Sequence, residues 1–451
     1  MRKALLSMAA MMATSGVAMA QNGITIIPDA SASGLQVNTM SPNGRYIGGS
    51  TYLGNNGFLY DTQEKKMVTF ENTSEYGTQV KGISNTGLGV GWNGPAAIFE
   101  FGDDGNGKMT TYGNETDSAY LFKGISPDGN IIVGNCVFDT YYTKACYFND
   151  GKPVTLPEPS ARYLGYGQMG TSAEYVTNDT IITGYIVDDF GAYPSLSWYK
   201  NNDGETFSTD VTSRPYYAGT YESTKPYSKF LPAGMSTDGK YMALALTAFN
   251  AETWEETHGI GRYNMEADTF EVFNLDPTED ADFYADMDAS IDVTGIADDG
   301  TIVGYYEPYN GGARIGFIWK TGEKPQYLYK AFPGATTLVD YATNSSDNIT
   351  CAISADGKYI TGFAYTKIAD AVDGNEENDE YSYVSYILDT TDPSALTPSD
   401  PDVINSASTK VKRPAKVAAR YNISGQKVGA KFQGVNVLRM TNGETVKALV
   451  K

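Results

Sequence analysis

The sequence predicts an all-β fold, a seven-bladed β-propeller of four-stranded antiparallel blades closed by its N-terminal strand, with a small C-terminal β tail. Three observations lead there. A turn of the form Ser-x-Asp/Asn-Gly recurs along the chain, alternating segments flank each copy, and no helical periodicity separates one copy from the next. Composition agrees, because 48 glycines and 34 tyrosines in 451 residues suit many short strands joined by tight turns.

Residues 1–20 contain Arg2 and Lys3, an apolar run from Ala4 and the ending Ala18-Met19-Ala20, the pattern of a secretory signal peptide. Gly23-Ile24-Thr25-Ile26-Ile27-Pro28-Asp29 then reads like the later segment Pro153-Val154-Thr155-Leu156-Pro157-Glu158. Because the last repeat lacks a fourth strand of its own, this early segment is expected to supply it and so remove the open edges of the array.

The turns follow as Ser41-Pro42-Asn43-Gly44, Ser126-Pro127-Asp128-Gly129, Ser236-Thr237-Asp238-Gly239 and Ser354-Ala355-Asp356-Gly357. Looser copies are Ser84-Asn85-Thr86-Gly87, Thr177-Asn178-Asp179-Thr180 and Ala297-Asp298-Asp299-Gly300. Asp-Gly and Asn-Gly supply the positive φ of a tight hairpin, so the segments on either side should pair. The second segment often ends in glycine, as in Ile131-Ile132-Val133-Gly134 and Ile181-Ile182-Thr183-Gly184. An aromatic third strand comes next, for example Gly57-Phe58-Leu59-Tyr60 or Gly316-Phe317-Ile318-Trp319, and a fourth such as Met67-Val68-Thr69-Phe70. This places the propeller over 21–389, a linker over 390–416 with Pro393, Pro398, Pro401 and Pro414, and a β tail over 417–451. From Lys410 onward the only acid is Glu444, so a basic module follows an acidic body.

Around its turns the chain resembles extracellular β-propeller repeat families, the TolB-like and HAF-type repeats. The tail resembles the C-terminal sorting tail of type IX secretion substrates of Bacteroidota. That likeness rests on Tyr421, Gly425 and Val428 in a Tyr-x-x-x-Gly-x-x-Val element, on Gly434-Val435-Asn436-Val437-Leu438-Arg439, and on the terminal Val450-Lys451. The tail is shorter than the family pattern, having the linker where further strands normally stand. The resemblances imply a secreted or surface-displayed propeller whose tail engages the export machinery.

A net charge of −21 argues against nucleic acid and anionic membranes as partners. No segment after the signal reaches the roughly 18 consecutive apolar residues of a membrane span. Cys136 and Cys146 either pair across a hairpin or stay as two buried thiols, and Cys351 has no evident partner. His258 is the only histidine, which excludes a three-histidine zinc site. No nucleophile elbow, phosphate loop or His-Glu-x-x-His motif is present. Asp280, Asp282, Asp286 and Asp288, and the turn Asp103-Asp104-Gly105-Asn106-Gly107, raise calcium as a ligand. Neither cluster has EF-hand spacing, and solvated acidic loops account for both, so no cofactor is expected.

Long insertions fall on one face and in blades four to seven: Ser213–Phe230, Thr247–Ile260, Asn274–Asp292, Glu307–Ile315, Phe332–Asn348 and Tyr365–Tyr381. They carry the candidate binding residues Tyr216, Tyr217, Tyr221, Trp254, His258, Tyr284, Tyr309, Arg314 and Tyr341, with Tyr227 beside them. Aromatic rings among carboxylates suit a glycan or an envelope protein, which makes a non-catalytic binding propeller the leading expectation. The alternatives are a glycan-degrading enzyme working through two carboxylates and a structural or assembly component of the cell envelope.

Overall fold

The computed structural model describes residues 22–29, 34–51, 56–73, 75, 77–112, 120–137, 143–149, 152–158, 168–178, 181–188, 195–201, 207–210, 229–250, 255–274, 290–307, 314–335, 347–369, 380–397, 417–422, 427, 434–440 and 445–450. The chain forms two compact units, Met1–Thr397 and Pro398–Lys451. No helix among the described residues is long and apolar enough to cross a membrane.

The first unit is all-β, built of antiparallel four-stranded meanders. Its first strand, β1 (Ile24–Ile26), leaves its neighbours in sequence. The first meander is β2 (Leu35–Met40), β3 (Tyr46–Thr51), β4 (Gly57–Asp61) and β5 (Lys66–Phe70), and the second is β6 (Thr78–Ile83), β7 (Gly89–Asn93), β8 (Ala96–Phe101) and β9 (Gly107–Tyr112). Next come β10 (Tyr120–Ile125), β11 (Ile132–Val137), β12 (Thr143–Asn149) and β13 (Lys152–Thr155), then β14 (Gln168–Val176), β15 (Ile181–Asp188), β16 (Ser195–Lys200) and β17 (Phe207–Asp210). These eight share one sheet, through a single parallel bridge between Thr143 and Gly170. The fifth meander is β18 (Lys229–Met235), β19 (Tyr241–Asn250), β20 (Glu255–Asn264) and β21 (Thr269–Asn274). The sixth is β22 (Ser290–Ile296), β23 (Ile302–Glu307), β24 (Ile315–Trp319) and β25 (Gln326–Tyr327), followed by the one-turn helix α1 (Leu328–Ala331). The last three strands, β26 (Asn348–Ile353), β27 (Tyr359–Ala369) and β28 (Glu380–Asp389), are completed by β1, with Ile24 opposite Leu388 and Ile26 opposite Tyr386.

The turn motif has a physical reason that its Ser-x-Asp/Asn-Gly copies share. Ser126 Oγ donates to Asp128 at 2.6 Å and accepts from the Ile131 amide at 2.9 Å, while Asp128 also accepts from the Asn130 amide. Ser236 with Asp238 and Ser354 with Asp356 repeat the pattern at the same distances within 0.1 Å, and Gly129 follows at φ 85°. The turns are also tied to one another. Amides of Asn43, Asn85, Asp128, Thr237, Asp298 and Ala355 each donate to the turn of the next motif, the last reaching back to Pro42 O at 2.7 Å. Where proline removes the amide at the second turn position, the third position donates instead, to the side chain of Asn85 or Asn178.

Between meanders the second strand of one packs on the first strand of the next: β3 on β6, β7 on β10, β11 on β14, β15 on β18, β19 on β22, β23 on β26, and β27 on β2. Buried Phe58, Phe99, Phe122, Trp198 and Phe317 of the third and first strands fill these layers. One junction is polar: buried Arg262 on β20 donates to Gly300 O at 2.7 Å and Trp319 O at 2.9 Å, pairs with Glu271, and lies 4.1 Å over the Trp319 ring.

Two expectations need correction. Residues 390–397, read as linker, belong to the body, where α2 (Pro393–Leu396), capped by Asp392, buries Ala395 beside Ile24 and accepts the Gly334 amide. A proline at the first turn of a capped helix is as much a start signal as a linker signal. His258, read on an insertion, lies on β20 opposite Thr247, because β19 and β20 extend their ladder where a loop was expected. The signal segment and Asp280 to Asp288 fall outside the described residues. The second unit is a three-stranded antiparallel sheet of β29 (Val417–Asn422), β30 (Gly434–Met440) and β31 (Thr445–Val450).

Candidate functional site

Each first strand slips out of register at the same place. The slips lie between Val37 and Thr39, Val80 and Gly82, Phe122 and Gly124, Ala173 and Tyr175, Pro232 and Gly234, Val293 and Gly295, and Thr350 and Ala352. The additional residue is Asn38, Lys81, Lys123, Glu174, Ala233, Thr294 or Cys351, always three positions before the first residue of the turn. A β-bulge leaves its additional residue unpaired and re-aims its side chain. All seven border one cavity of about 530 Å³.

Two residues further on stand Met40, Ile83, Ile125, Val176, Met235, Ile296 and Ile353, which border a smaller cavity of about 160 Å³ next to the turns. The two cavities share Lys81, Lys123 and Glu174 in their walls. The residues two positions beyond the bulges are therefore all apolar, whereas the bulge residues themselves are of mixed chemistry.

The bulge residues divide by chemistry. Asn38, Lys81, Lys123 and Glu174 are polar or charged, whereas Ala233, Thr294 and Cys351 are small. Lys123 Nζ lies 3.8 Å from Glu174, whose carboxylate also receives the Ser172 hydroxyl; that hydroxyl is 2.9 Å from Asn135 Oδ1. Lys81 Nζ sits 5.0 Å from the Trp92 ring centroid. Burial and the neighbouring Lys123 hold the Lys81 ammonium below the usual lysine range, partly offset by Glu174. The amide nitrogen of Asn38 is buried and finds no hydrogen-bond partner among the described residues. Burial raises the free, buried Cys351 thiol.

Arg314 and Tyr305 reach the rim of the same cavity. Arg314 Nε donates to Glu307 at 3.0 Å, and its Nη1 lies 3.8 Å from Asp347, so its charge is compensated locally. Burial raises the Asp292 carboxyl, although the Tyr305 hydroxyl donates to it and Arg314 and His258 lie within electrostatic reach. Of the candidate binding residues, His258 and Arg314 are described, and the charge of each favours the ionised form of Asp292. Tyr216, Tyr217, Tyr221, Tyr227, Trp254, Tyr284, Tyr309 and Tyr341 lie outside the described residues.

From Phe363, which also borders the cavity, aromatic rings step outward along β27 and β28. Tyr383 is 5.6 Å from Phe363, Tyr365 is 5.0 Å from Tyr383, and Tyr381 stacks 5.8 Å from Tyr365. Tyr365 and Tyr381 are 41% and 48% exposed. Cys136 on β11 and Cys146 on β12 form a disulfide along a diagonal of the ladder, with Cα atoms 6.3 Å apart. Among the described residues no group of three or more His, Cys, Asp or Glu side chains is arranged to hold a metal. At Asp103 to Gly107 the Asp104 carboxylate accepts from both the Asn106 amide and its side chain.

Sequence reasoning pointed to the insertions and missed the bulges. The signal was available, since the position three before each turn reads Asn, Lys, Lys, Glu, Ala, Thr, Cys while its neighbours stay small or apolar.

No protein-family model matches the chain, and no curated protein does. Among solved structures it is similar to TolB from Acinetobacter baumannii, at 16% identity and a TM-score of 0.36, over 65% of this chain and 63% of that one. It is similar to the β-propeller domain of the Trilobed protease from Pyrococcus furiosus, at 11% identity and 0.41, over 80% and 98%. A GH74 xyloglucanase from Xanthomonas campestris matches at 9% identity and 0.42, over 92% of this chain and 59% of the enzyme. The chain thus spans less than two thirds of the length of TolB and of the xyloglucanase.

Proposed function

We propose that the chain is an exported, non-catalytic binding module: a seven-bladed propeller closed by β1, with its ligand, a glycan or envelope protein, taken into the larger cavity. The observation that carries this reading is that one cavity collects one bulged residue from every turn motif. Closure is supported by the pairing of β1 with β28 and by the bond from the Ala355 amide to Pro42 O. Small-molecule sites are concave and combine apolar walls with a few convergent polar groups, which this cavity does.

The test is binding of the mature chain to a panel of neutral and acidic polysaccharides, with new reducing ends measured in parallel. Binding without turnover, abolished in a folded Ala233→Trp variant that fills the cavity, is the expected result. Binding unchanged in that variant overturns the proposed location. The raised carboxyl of Asp292, which accepts from the cavity-lining Tyr305, favours a second reading, glycan hydrolysis, since a general acid needs such a group. Reducing ends that disappear in Asp292→Asn would establish it.

The tail, a separate three-stranded unit, serves in this reading as the export signal. A chain ending at Thr397 should then fold normally but stay inside the cell envelope, as fractionation would report.

A further inference from the structure

We propose that Asn38, Lys81 and Lys123 form a carboxylate-binding subsite in the larger cavity, so that the ligand is an acidic saccharide carrying uronic acid groups. This rests on the cavity being the binding site. Charge is the first argument. The residues bordering the two cavities include three cations, Lys81, Lys123 and Arg314, against a single carboxylate, Glu174, in a protein of net charge −21. Glu307 and Asp347 compensate Arg314, which leaves two lysines sharing Glu174. A low-dielectric recess of one sign focuses its field on a small counter-ion while the acidic exterior repels large polyanions.

The second argument is independent of charge. Buried polar groups are nearly always hydrogen-bonded, yet the Asn38 amide nitrogen, a donor on the meander next to that of Lys81, has no acceptor among the described residues. Asn38, Lys81 and Lys123 occupy the same bulge position on three consecutive first strands and border the same cavity, so a donor without an acceptor among the described residues stands beside two lysines. Two ammoniums and one carboxylate leave one positive charge, which a carboxylate neutralises and a phosphate dianion exceeds.

The saccharide follows from the rim. Phe363, Tyr383, Tyr365 and Tyr381 lead from the cavity wall outward, and the last two expose rings on which a sugar can stack. The subsite would hold the acid group while the outer rings carry neighbouring sugars.

The experiment is calorimetric titration of the mature chain with trigalacturonate and with its neutral methyl ester. The acid should bind at least about tenfold more tightly than the ester, as one charge-assisted contact implies. Lys81→Met and Lys123→Met should each erase that preference, Lys81→Arg should restore most of it, and Glu174→Gln should leave it unchanged or larger. An unchanged thermal midpoint confirms that each variant is folded. Equal binding of acid and ester by the wild type, or a preference that survives Lys81→Met, overturns the subsite; if Ala233→Trp still abolishes that binding, the cavity reading stands alone. Binding of neither trisaccharide overturns the saccharide, and a glutamate-ended peptide binding in a Lys81-dependent way would assign the same donors to a protein partner instead.

Discussion

The two ends of the seven first strands obey different rules. At the turn end the residues repeat: Ser, Asp or Asn and Gly form the same hydrogen bonds from copy to copy, and apolar side chains precede them. Three residues earlier the repeat breaks into asparagine, lysine, lysine, glutamate, alanine, threonine and cysteine. A backbone that must be made seven times fixes its turns. A bulge leaves its residue unpaired, so chemistry there varies without disturbing the ladder. The contrast separates what holds the body together from what borders its cavity.

The sharpest way to break the scaffold side is at the glycine opposite a bulge. A β-carbon on Gly184 would collide with the Ser172 carbonyl, and one on Gly134 with that of Leu121, both backbone atoms that cannot move aside. Gly184→Ala should therefore cost about 3 kcal/mol by denaturant titration, whereas Ala233→Ser at a bulge should stay within about 0.5 kcal/mol. Next in size is Arg262→Met. It keeps the apolar stem but leaves Gly300 O and Trp319 O without their donor, and a loss of about 2 kcal/mol is expected.

The smallest effect concerns pH, and it has opposite signs at the two ends. Near the turns, burial pushes Asp61 up, but Arg45 and the amides of Glu64 and Gln63 outweigh it and hold the carboxyl below its usual range. Its contribution is therefore present above the ordinary carboxylate range and is lost as pH falls through the lowered value. Next to Tyr305 burial prevails for Asp292, so the folded chain keeps a proton that the unfolded chain has released, and stability falls as pH rises through the raised value. At neutral pH Asp61→Asn should lower the thermal midpoint and Asp292→Asn should raise it, each by about 1 °C, and both differences should shrink in acid.

How much of this was legible follows the same division. The hairpins were readable because Asp-Gly and Asn-Gly dictate a positive φ locally, and the strand at Ile24 was readable from its likeness to Pro153–Glu158. The bulges are not legible locally, because a one-residue slip changes no composition and shows only when seven copies are aligned on their turns. His258 was assigned to a loop because nothing local distinguishes a lengthened hairpin from an insertion. In the fifth meander Leu244, opposite Pro232, stands where six others have glycine, so the glycine pattern alone would have missed it.

Ile24 faces Leu388 across nearly the whole length of the first unit. The strand made first thus waits for the strand made almost last. Pairing at such sequence separation is slow to form, so the body cannot complete itself while it is still being synthesised. Closure of the first unit is therefore a single late event in its assembly.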